Sequence, residues 1–337
     1  MPDALEFSTT RPLRPRERSS FSAKETASLK PSPPQPARAK SGASDQDDPT
    51  RPATEQPRLF RLGDLLGEWE SEARAAHDAK TRNIARGPVT GFPALDRDLG
   101  GVLCPGLHIV HGQPGAGKTA FTLQVATNCG APCLYVTCEM SPLELLRRHT
   151  ARATRTFLGR LKSGEMTPEE SLGLAKRACA FAPQLAMCDA TRAYASPRFL
   201  RDAALATKGD DPHLLIVVDS LHSWAQGAPT DAPEYETLNA AISGLGQLSR
   251  ALHCPVLIVC ERNRGAMSGG GLSAGAGTRK IEYCAETVLD LERDPAKRED
   301  AAGEVEVVAK LNKNRHGGTS KRAALQFHGA LQSFREV

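Results

Sequence analysis

Apolar residues follow different patterns along different parts of the chain. They form almost no clusters in residues 1–57, recur at helical spacing over 59–69, and gather into short β-branched runs from about residue 88. Such runs, alternating with helical stretches, are typical of a mostly parallel sheet with helices on both faces. The predicted fold class is therefore α/β. The candidate strands are Leu107–His111, Cys133–Thr137, Leu214–Val218, Val256–Val259, Thr287–Leu291 and Val305–Ala309.

The first segment differs in composition from everything that follows it. Residues 1–57 hold ten of the 24 prolines and few aliphatic side chains. A segment of this kind cannot bury enough apolar surface to offset the entropy of ordering it. We predict a disordered, proline-rich tail over 1–57 and a single globular domain over 88–337.

A linker region, 58–87, joins the two. Leu62, Leu65 and Trp69 share one face of a helix predicted over roughly 61–80. Because this helix precedes the globular domain, its apolar stripe needs a docking surface, either on its own domain or on a neighbouring subunit.

Bulk composition excludes several classes of protein. The apolar content of 40% and mean hydropathy of −0.37 come without any run near the roughly 18 apolar residues of a membrane helix. The N-terminus lacks the apolar stretch of a signal peptide, and the nine cysteines include no CxxC pair for zinc. We expect a cytoplasmic protein with no membrane partner. The net charge of +4 permits a nucleic-acid partner without requiring one.

The sequence GQPGAGKT, residues 112–119, is a phosphate-binding loop in its required context. It follows the candidate strand Leu107–His111 and precedes a helical run, Ala120–Asn128. Its backbone N–H groups form an anion nest, Lys118 reaches the terminal phosphates of ATP, and the Thr119 hydroxyl binds Mg²⁺. The predicted ATP-binding residues are Gly112, Gln113, Pro114, Gly115, Ala116, Gly117, Lys118, Thr119 and Ala120.

Two strand-end carboxylates complete this predicted site. The apolar run LLIVVD delivers Asp219, a candidate Mg²⁺ group, beside the phosphates. Glu139 follows the strand ending at Thr137, expected one strand from the loop, where it can orient and deprotonate the attacking water. The alternative role, an acid near a helix N-cap, is met by Ser141 and Glu144, which leaves Glu139 free for catalysis.

An ordered set of motifs carries a family resemblance. It comprises TGFPALDRDLGG (90–101), the phosphate loop, CEMS (138–141), VVDSL (217–221), LNAAISGLGQLSRALHCPVLIVCERNR (238–264), KNRHGG (313–318) and LQSF (331–334). Residues 59–337 thereby resemble the RecA-fold ATPase domain of DnaB-type hexameric replicative helicases. The resemblance implies a RecA-like P-loop NTPase using ATP and Mg²⁺, with Lys118 and Thr119 as the Walker A pair, Glu139 as catalytic base and Asp219 as the Walker B acid.

The same resemblance implies a ring. Arg315 looks like the arginine finger that reaches the ATP of an adjacent subunit, with Lys313 beside it. Without the resemblance, KLNKNRHGG would be interpreted as a solvated basic turn. RLGDLLGEWESEA (61–73) resembles the segment that docks on the next subunit in those hexamers. Those helicases carry a helical domain that binds primase before this segment, whereas here the proline-rich tail precedes it, which places a primase partnership in doubt.

One position departs from the helicase pattern. The family usually has Gln at the end of the fourth strand as a phosphate sensor, and this chain has Glu261. A carboxylate cannot donate a hydrogen bond to phosphate unless it is protonated, so sensing is altered or passes to Arg262, Asn263 or Arg264. The "ER" pair resembles KaiC-type ATPases and KNRHG resembles RadA-type proteins, although the zinc finger of RadA and the second ATPase copy of KaiC are absent.

A long glycine-rich loop is the predicted DNA contact. Six glycines lie among residues 265–277, and basic residues border the loop on both sides. A flexible basic loop suits sequence-independent contact with phosphates, and its position resembles the central DNA-binding loop of RecA-like proteins. The alternative is a merely mobile loop, since it lacks an aromatic residue for base stacking. The candidate contacts are Arg262, Arg264, Arg279 and Lys280.

Three functions follow, in order of preference. The first is an ATP-hydrolysing motor on single-stranded DNA, a DnaB-like helicase or translocase in replication or repair. The second is a RadA- or KaiC-like ATPase that uses ATP as an assembly switch in recombination or signalling without unwinding. The third is a degenerate nucleotide-binding scaffold, which the intact Lys118, Thr119, Glu139 and Asp219 argue against.

Overall fold

The computed structural model describes residues 58–261, 279–294, 296, 298–319 and 321–337. The predicted tail, 1–57, and the predicted DNA loop over 262–278 lie outside these residues. The side chain of Arg279 does so too, although its backbone begins a helix. Within the described residues, no helix combines the length and the apolar character that a membrane crossing requires.

A nine-stranded sheet forms the centre of the described part of the chain. The strands are β1 Gly106–Gly112, β2 Cys133–Thr137, β3 Leu185–Asp189, β4 Leu215–Asp219, β5 Pro255–Glu261, β6 Thr287–Arg293, β7 Glu304–Asn314, β8 Lys321–His328 and β9 Ser333–Glu336. Their order across the sheet is β3-β2-β4-β5-β1-β6-β7-β8-β9. The first six strands of this order run parallel to one another, and the last three, β7, β8 and β9, continue the sheet antiparallel.

All of the candidate strands exist, and the mostly parallel sheet is confirmed. Strands β3, β8 and β9 were not predicted. Strand β3, at the sheet edge, is mostly half-buried, and its sequence LAMCD contains no β-branched residue. The last candidate strand, Val305–Ala309, is the middle of the longer β7, whose alternating buried and half-buried residues reflect an antiparallel strand with one wetter face.

Helices cover both faces of the sheet, as predicted. One face carries a core around Phe92, Phe121 and Leu145, and the other carries a core around Trp224 and Leu245. The helices are α1 Leu66–Thr81, α2 Pro93–Asp98, α3 Lys118–Asn128, α4 Pro142–Thr154, α5 Arg160–Ser163, α6 Pro168–Ala180, α7 Pro197–Lys208, α8 Leu221–Gln226, α9 Glu234–Leu252 and α10 Arg279–Cys284.

The linker helix presents its apolar stripe to solvent. A short 3-10 turn, Leu62–Leu65, leads into α1, and none of the residues of either element is buried. Leu62 is 88% exposed and Trp69 is 69% exposed. Within the described residues, the stripe therefore has no docking surface on its own domain, and the alternative of a surface on a neighbouring subunit stays a prediction.

Candidate active site

The phosphate loop lies between β1, which ends at Gly112, and α3, which begins at Lys118. Gly115 and Gly117 have φ angles of +81° and +84°, a left-handed conformation that glycine adopts without steric cost. The N-terminus of α3 points its free N–H groups and positive dipole at the loop. The Lys118 Nζ donates to the Gly112 and Gln113 carbonyls at 2.9 and 3.2 Å. The loop thus has the backbone cradle and the cation that a triphosphate requires.

Lys118 lies among carboxylates. Burial lowers its pKa, while the charges of Glu261, Asp219 and Glu139 oppose this effect. These carboxylates come from the ends of β5, β4 and β2. The ends of these three strands therefore converge around the lysine.

Asp219 is held in a hydrogen-bond network that the sequence analysis did not predict. It is 6% exposed, and burial raises its pKa, whereas hydrogen bonds from Tyr135 and Thr119 lower it. The Tyr135 hydroxyl donates to Asp219 Oδ2 at 2.8 Å and lies 3.1 Å from the Thr122 hydroxyl. Thr119 and Asp219, the predicted Mg²⁺ pair, are thus in contact. A hydroxyl and a carboxylate at the end of a phosphate cradle fit Mg²⁺, which prefers oxygen ligands.

Glu139 reaches the site by a different route from the one expected. It was predicted one strand from the phosphate loop, but the strand order places both β4 and β5 between β2 and β1. Helix α3 contacts β1, β5, β4 and β2, and the Glu139 charge acts on Lys118 at the start of this helix despite the two intervening strands. Ser141 caps α4 by accepting from the Glu144 N–H, so Glu139 does not serve as a cap.

Two serine hydroxyls hold the Glu139 carboxylate. The Oγ atoms of Ser220 and Ser223 each donate to Glu139 Oε1 at 2.7 Å. In the described part of the chain, no side chain donates to Oε2, and Glu139 is exposed. Ser220 follows Asp219 directly, so the same strand end carries the Mg²⁺ candidate and a group that orients the candidate base. VVDSL contains Ser220, which also caps α8 by accepting from the Ser223 N–H, but no local pattern predicts its bond to Glu139.

Glu261 lies beside the phosphate loop, where the sensor was predicted. It pairs in register with Gly112 across β5 and β1, and its side chain is exposed. Of the carboxylates acting on Lys118, it has the strongest effect on the pKa of the lysine. The residues predicted to take over its sensing role, Arg262, Asn263 and Arg264, lie outside the described residues.

The last strands of the sheet support the phosphate loop. Gln124 of α3 exchanges two hydrogen bonds with the Phe334 backbone, each at 2.9 Å. A Cβ added to Gly117 would lie 2.8 Å from the Phe334 ring. The closing LQSF motif therefore packs directly against the loop, a contact between residues more than 200 positions apart that no local pattern predicts.

Lys313 and Arg315 lie near the end of the sheet where β1 and β6 begin, whereas the phosphate loop of the same subunit follows the other end of β1. Lys313 is part of β7, and its ammonium donates to the Glu282 and Tyr283 carbonyls at 2.8 and 2.9 Å. The Arg315 N–H donates to the Glu286 carbonyl, and the Glu286 N–H donates to the Leu107 carbonyl near the start of β1. From Leu107, β1 continues for roughly 17 Å before the loop begins.

The predicted DNA residue Lys280 contacts α9. Its ammonium donates to Ser243 Oγ at 2.7 Å and to the Asn239 carbonyl at 3.4 Å. Arg279 starts the same helix, α10. Lys280 thus fixes the start of α10, just after the 262–278 segment, to α9. Its contact with DNA remains a prediction.

The sequence of this domain matches a known protein family. The family model of the DnaB-like helicase C terminal domain matches residues 87–336. The chain belongs to the DnaB-like helicase C-terminal domain family. The matched region contains the phosphate loop, all of the strands and the turn with Arg315.

Full-length DnaB helicases match this family member over most of its length. The replicative DNA helicase DnaB of Treponema pallidum (strain Nichols) is 28% identical over 291 residues, which cover 81% of this chain and 60% of that helicase. The helicase of the same name from Pasteurella multocida (strain Pm70) is 27% identical over 267 residues, or 75% of this chain and 56% of that helicase. The chain therefore spans little more than half the length of these relatives.

Two solved structures are similar to this chain in fold, and one further protein is similar to it in sequence over a single region. A solved ATPase domain superimposes with a TM-score of 0.70 at 18% identity, covering 83% of this chain and 100% of that domain. A DnaB-like replicative helicase superimposes with a TM-score of 0.67 at 20% identity, covering 82% of this chain and 67% of the helicase. Both comparisons support the RecA-like fold. The DNA repair protein RadA of Haemophilus influenzae (strain ATCC 51907 / DSM 11121 / KW20 / Rd) is 34% identical over 111 residues, 32% of this chain and 23% of that protein.

Proposed function

We propose that this DnaB-family chain is an ATP-hydrolysing motor on single-stranded DNA, acting as a helicase or translocase within a ring of identical subunits. The observation that carries the proposal is the separation of two functional groups in one subunit. Lys118 lies at the carboxyl end of β1, whereas Arg315 hydrogen-bonds to Glu286, whose own N–H donates to the Leu107 carbonyl near the start of β1. This separation supports a role for Arg315 at the nucleotide of a neighbour.

The chemistry of the site follows from its residues. Lys118 exchanges its bonds with the loop carbonyls for the terminal phosphates of ATP, because a charged acceptor binds an ammonium more strongly than a neutral one. Thr119 and Asp219 would hold Mg²⁺, which neutralises charge on the phosphates. Glu139 accepts a proton from the attacking water through its free Oε2.

Arg315 supplies the group that the subunit lacks on its own. A guanidinium that enters the site from a neighbour stabilises charge on the transferring phosphoryl group, an effect of about 10³ to 10⁵ in rate for arginine fingers. Lys313 lies beside it and is proposed to assist. Hydrolysis then depends on assembly, and a hexameric ring is the proposed form, as in the family. The exposed stripe on α1 is proposed to join neighbouring subunits.

Contact with DNA is proposed for the segment after β5. Arg262, Arg264, Arg279 and Lys280 carry positive charge there, which suits sequence-independent contact with the phosphates of a single strand. The solved DnaB-like helicase was studied for its interactions with primase. For this chain a primase partnership stays in doubt.

Steady-state ATPase assays with and without single-stranded DNA, paired with unwinding of a forked duplex, test the proposal. We expect stimulation of the ATPase rate by the strand, and loss of turnover in Lys118→Ala and Glu139→Gln, while Lys176→Ala, an exposed lysine on α6, behaves like the wild type. Mixing inactive Lys118→Ala with inactive Arg315→Ala subunits should restore turnover, since a mixed interface holds one intact loop and one intact finger. A protein that hydrolyses ATP without any response to DNA, and does not unwind the fork, contradicts the motor.

Local similarity to RadA favours a second candidate function, an ATPase that uses nucleotide as an assembly switch. The 34% identity over 111 residues supports it. On that alternative, a non-hydrolysable ATP analogue changes the oligomeric state, whereas strand displacement is absent. Light scattering with and without the analogue, together with the unwinding assay, separates the two functions.

A further inference from the structure

Glu286 connects the Arg315 turn to the start of β1. Its Oε1 accepts from the Arg315 guanidinium at 2.9 Å, and its Oε2 lies 3.2 Å from the His316 ring. The second guanidinium nitrogen of Arg315 donates to the Tyr283 carbonyl at 3.1 Å. The guanidinium is therefore held from two sides by residues of one short segment, 283–286.

The Glu286 backbone is anchored at both of its polar groups. Its N–H donates to the Leu107 carbonyl at 2.7 Å, and its carbonyl accepts from the Arg315 N–H at 3.1 Å. Its side chain lies against Gly106, where an added Cβ would come within 2.3 Å of Glu286 Cγ. Only 20% of the Glu286 side chain is exposed, against 51% for Arg315. A half-exposed cation thus rests on a largely buried, fixed carboxylate.

The remaining donors of Arg315 are available to a second anion. A guanidinium has five N–H donors in a rigid planar fork. The contacts with Glu286 and Tyr283 use one donor on each terminal nitrogen, which leaves donors for phosphate oxygens. An arginine that is already held in place loses less side-chain entropy when it engages a phosphate.

We propose that Glu286 is the positioning residue for Arg315: it holds the guanidinium in the orientation from which it acts on the nucleotide of the neighbouring subunit. The inference rests on the proposed function, because it deepens the role of Arg315 in a shared site. Lys313 adds to the arrangement by binding the carbonyls of Glu282 and Tyr283 at the C-terminal end of α10.

The kcat of the full chain at saturating ATP and single-stranded DNA is the first measurement. We expect Glu286→Ala to lower kcat about 10-fold through misplacement of the guanidinium. We expect a smaller loss, about 3-fold, for Glu286→Gln, since a neutral acceptor makes a hydrogen bond roughly half as strong. The matched control is Glu304→Gln, which removes a carboxylate from another arginine pair, with Arg335 at 2.6 Å, and should keep the wild-type kcat. A wild-type or higher kcat in Glu286→Ala overturns the inference.

Two further measurements separate positioning from a structural role. In an Arg315→Ala background, Glu286→Ala should change kcat no further, because there is no guanidinium left to position. Mixing Glu286→Ala with Lys118→Ala subunits should recover activity, since the Lys118→Ala subunit brings an intact finger to the intact phosphate loop. An equal loss in both backgrounds, or no recovery on mixing, overturns the role of Glu286.

The kcat of Arg315→Ala separates a failure of the proposed function from a failure of the positioning role of Glu286. If Arg315→Ala keeps the wild-type kcat while Lys118→Ala abolishes turnover, the shared site itself is absent, and the inference is overturned together with it. If Arg315→Ala loses activity and Glu286→Ala does not, the shared site stands and only the positioning role is overturned.

Discussion

The Ser220 hydroxyl donates a 2.7 Å hydrogen bond to Glu139 Oε1, which links the residue after β4 to the second residue after β2. Ser223, one turn along the chain, donates to the same oxygen. A carboxylate held at one oxygen presents the other in a fixed direction. The orientation of the candidate base is therefore set by the residue next to Asp219, and the two parts of the site cannot shift independently.

Removal of these hydroxyls should slow hydrolysis without weakening ATP binding. Ser223→Ala is the cleaner change, because Ser220 also caps α8. We expect kcat to fall about 10-fold through loss of orientation of Glu139, with KM for ATP unchanged, and Ser223→Thr to recover activity. Ser196→Ala, which removes a similar cap from α7, is the control for Ser220→Ala. Equal kcat values in Ser223→Ala and the wild type would disprove this role.

Tyr135→Phe should weaken Mg²⁺ binding. The change removes the 2.8 Å hydrogen bond to Asp219 Oδ2, which fixes that carboxylate beside Thr119. Loss of such an orienting partner costs about 10-fold or more in metal affinity, so the Mg²⁺ concentration for half-maximal ATPase should rise by that factor. Tyr194→Phe, a tyrosine stacked on Trp224 on the other face of the sheet, controls for the loss of a hydroxyl. Identical Mg²⁺ titrations for the two variants would exclude the role of Tyr135.

Gly117 and Gly115 allow backbone strain to be separated from a clash. Both have positive φ, but a Cβ on Gly117 lies 2.8 Å from the Phe334 ring, whereas a Cβ on Gly115 meets no atom within 4 Å. Thermal unfolding without nucleotide should show a cost of about 1 kcal/mol for Gly115→Ala and about 2 to 4 kcal/mol for Gly117→Ala. Phe334→Leu in the second variant should recover part of the difference. Equal losses would mean that Phe334 does not confine the loop.

His108 should make stability fall in mild acid. It is buried between Thr287 and the Cys104 carbonyl, and burial lowers its pKa to about 4. Between pH 6.5 and 4 the unfolded chain therefore binds a proton at this position that the folded chain does not, so the free energy of unfolding decreases as pH falls. One such group contributes a slope of up to ~1.4 kcal/mol per pH unit.

Denaturant unfolding at several pH values checks the effect of His108. His108→Gln removes the titrating group, so its stability should depend less on pH over this window, even if it is less stable at pH 7. His213→Gln, at a half-buried histidine, controls for the effect of a histidine-to-glutamine change on stability at pH 7. A His108→Gln profile parallel to that of the wild type would contradict the assignment.

Local patterns were sufficient for the elements that carry the chemistry. The β-branched runs predicted the strands ending at Gly112, Thr137 and Asp219, because buried parallel strands are apolar throughout. The GQPGAGKT loop and the Ser141 cap could also be predicted from the sequence, since each is defined by residues that are close together in the chain. Strand β3 was missed because it contains no β-branched residue, and β8 and the four-residue β9 were missed because many of their residues are exposed or half-buried.

The sequence by itself determined the α/β class and the strand, loop and helix around Lys118, and it predicted the roles of Lys118, Asp219 and Glu139, since each rests on short-range spacing. Only the tertiary structure decided which groups meet. The strand order places β4 and β5 between β2, which precedes Glu139, and β1, which precedes the phosphate loop. Because β7 runs antiparallel, Arg315 after its end lies near the start of β1, away from the phosphate loop. These outcomes depend on pairings between distant strands, whose free energies come from whole surfaces packing together rather than from any single segment.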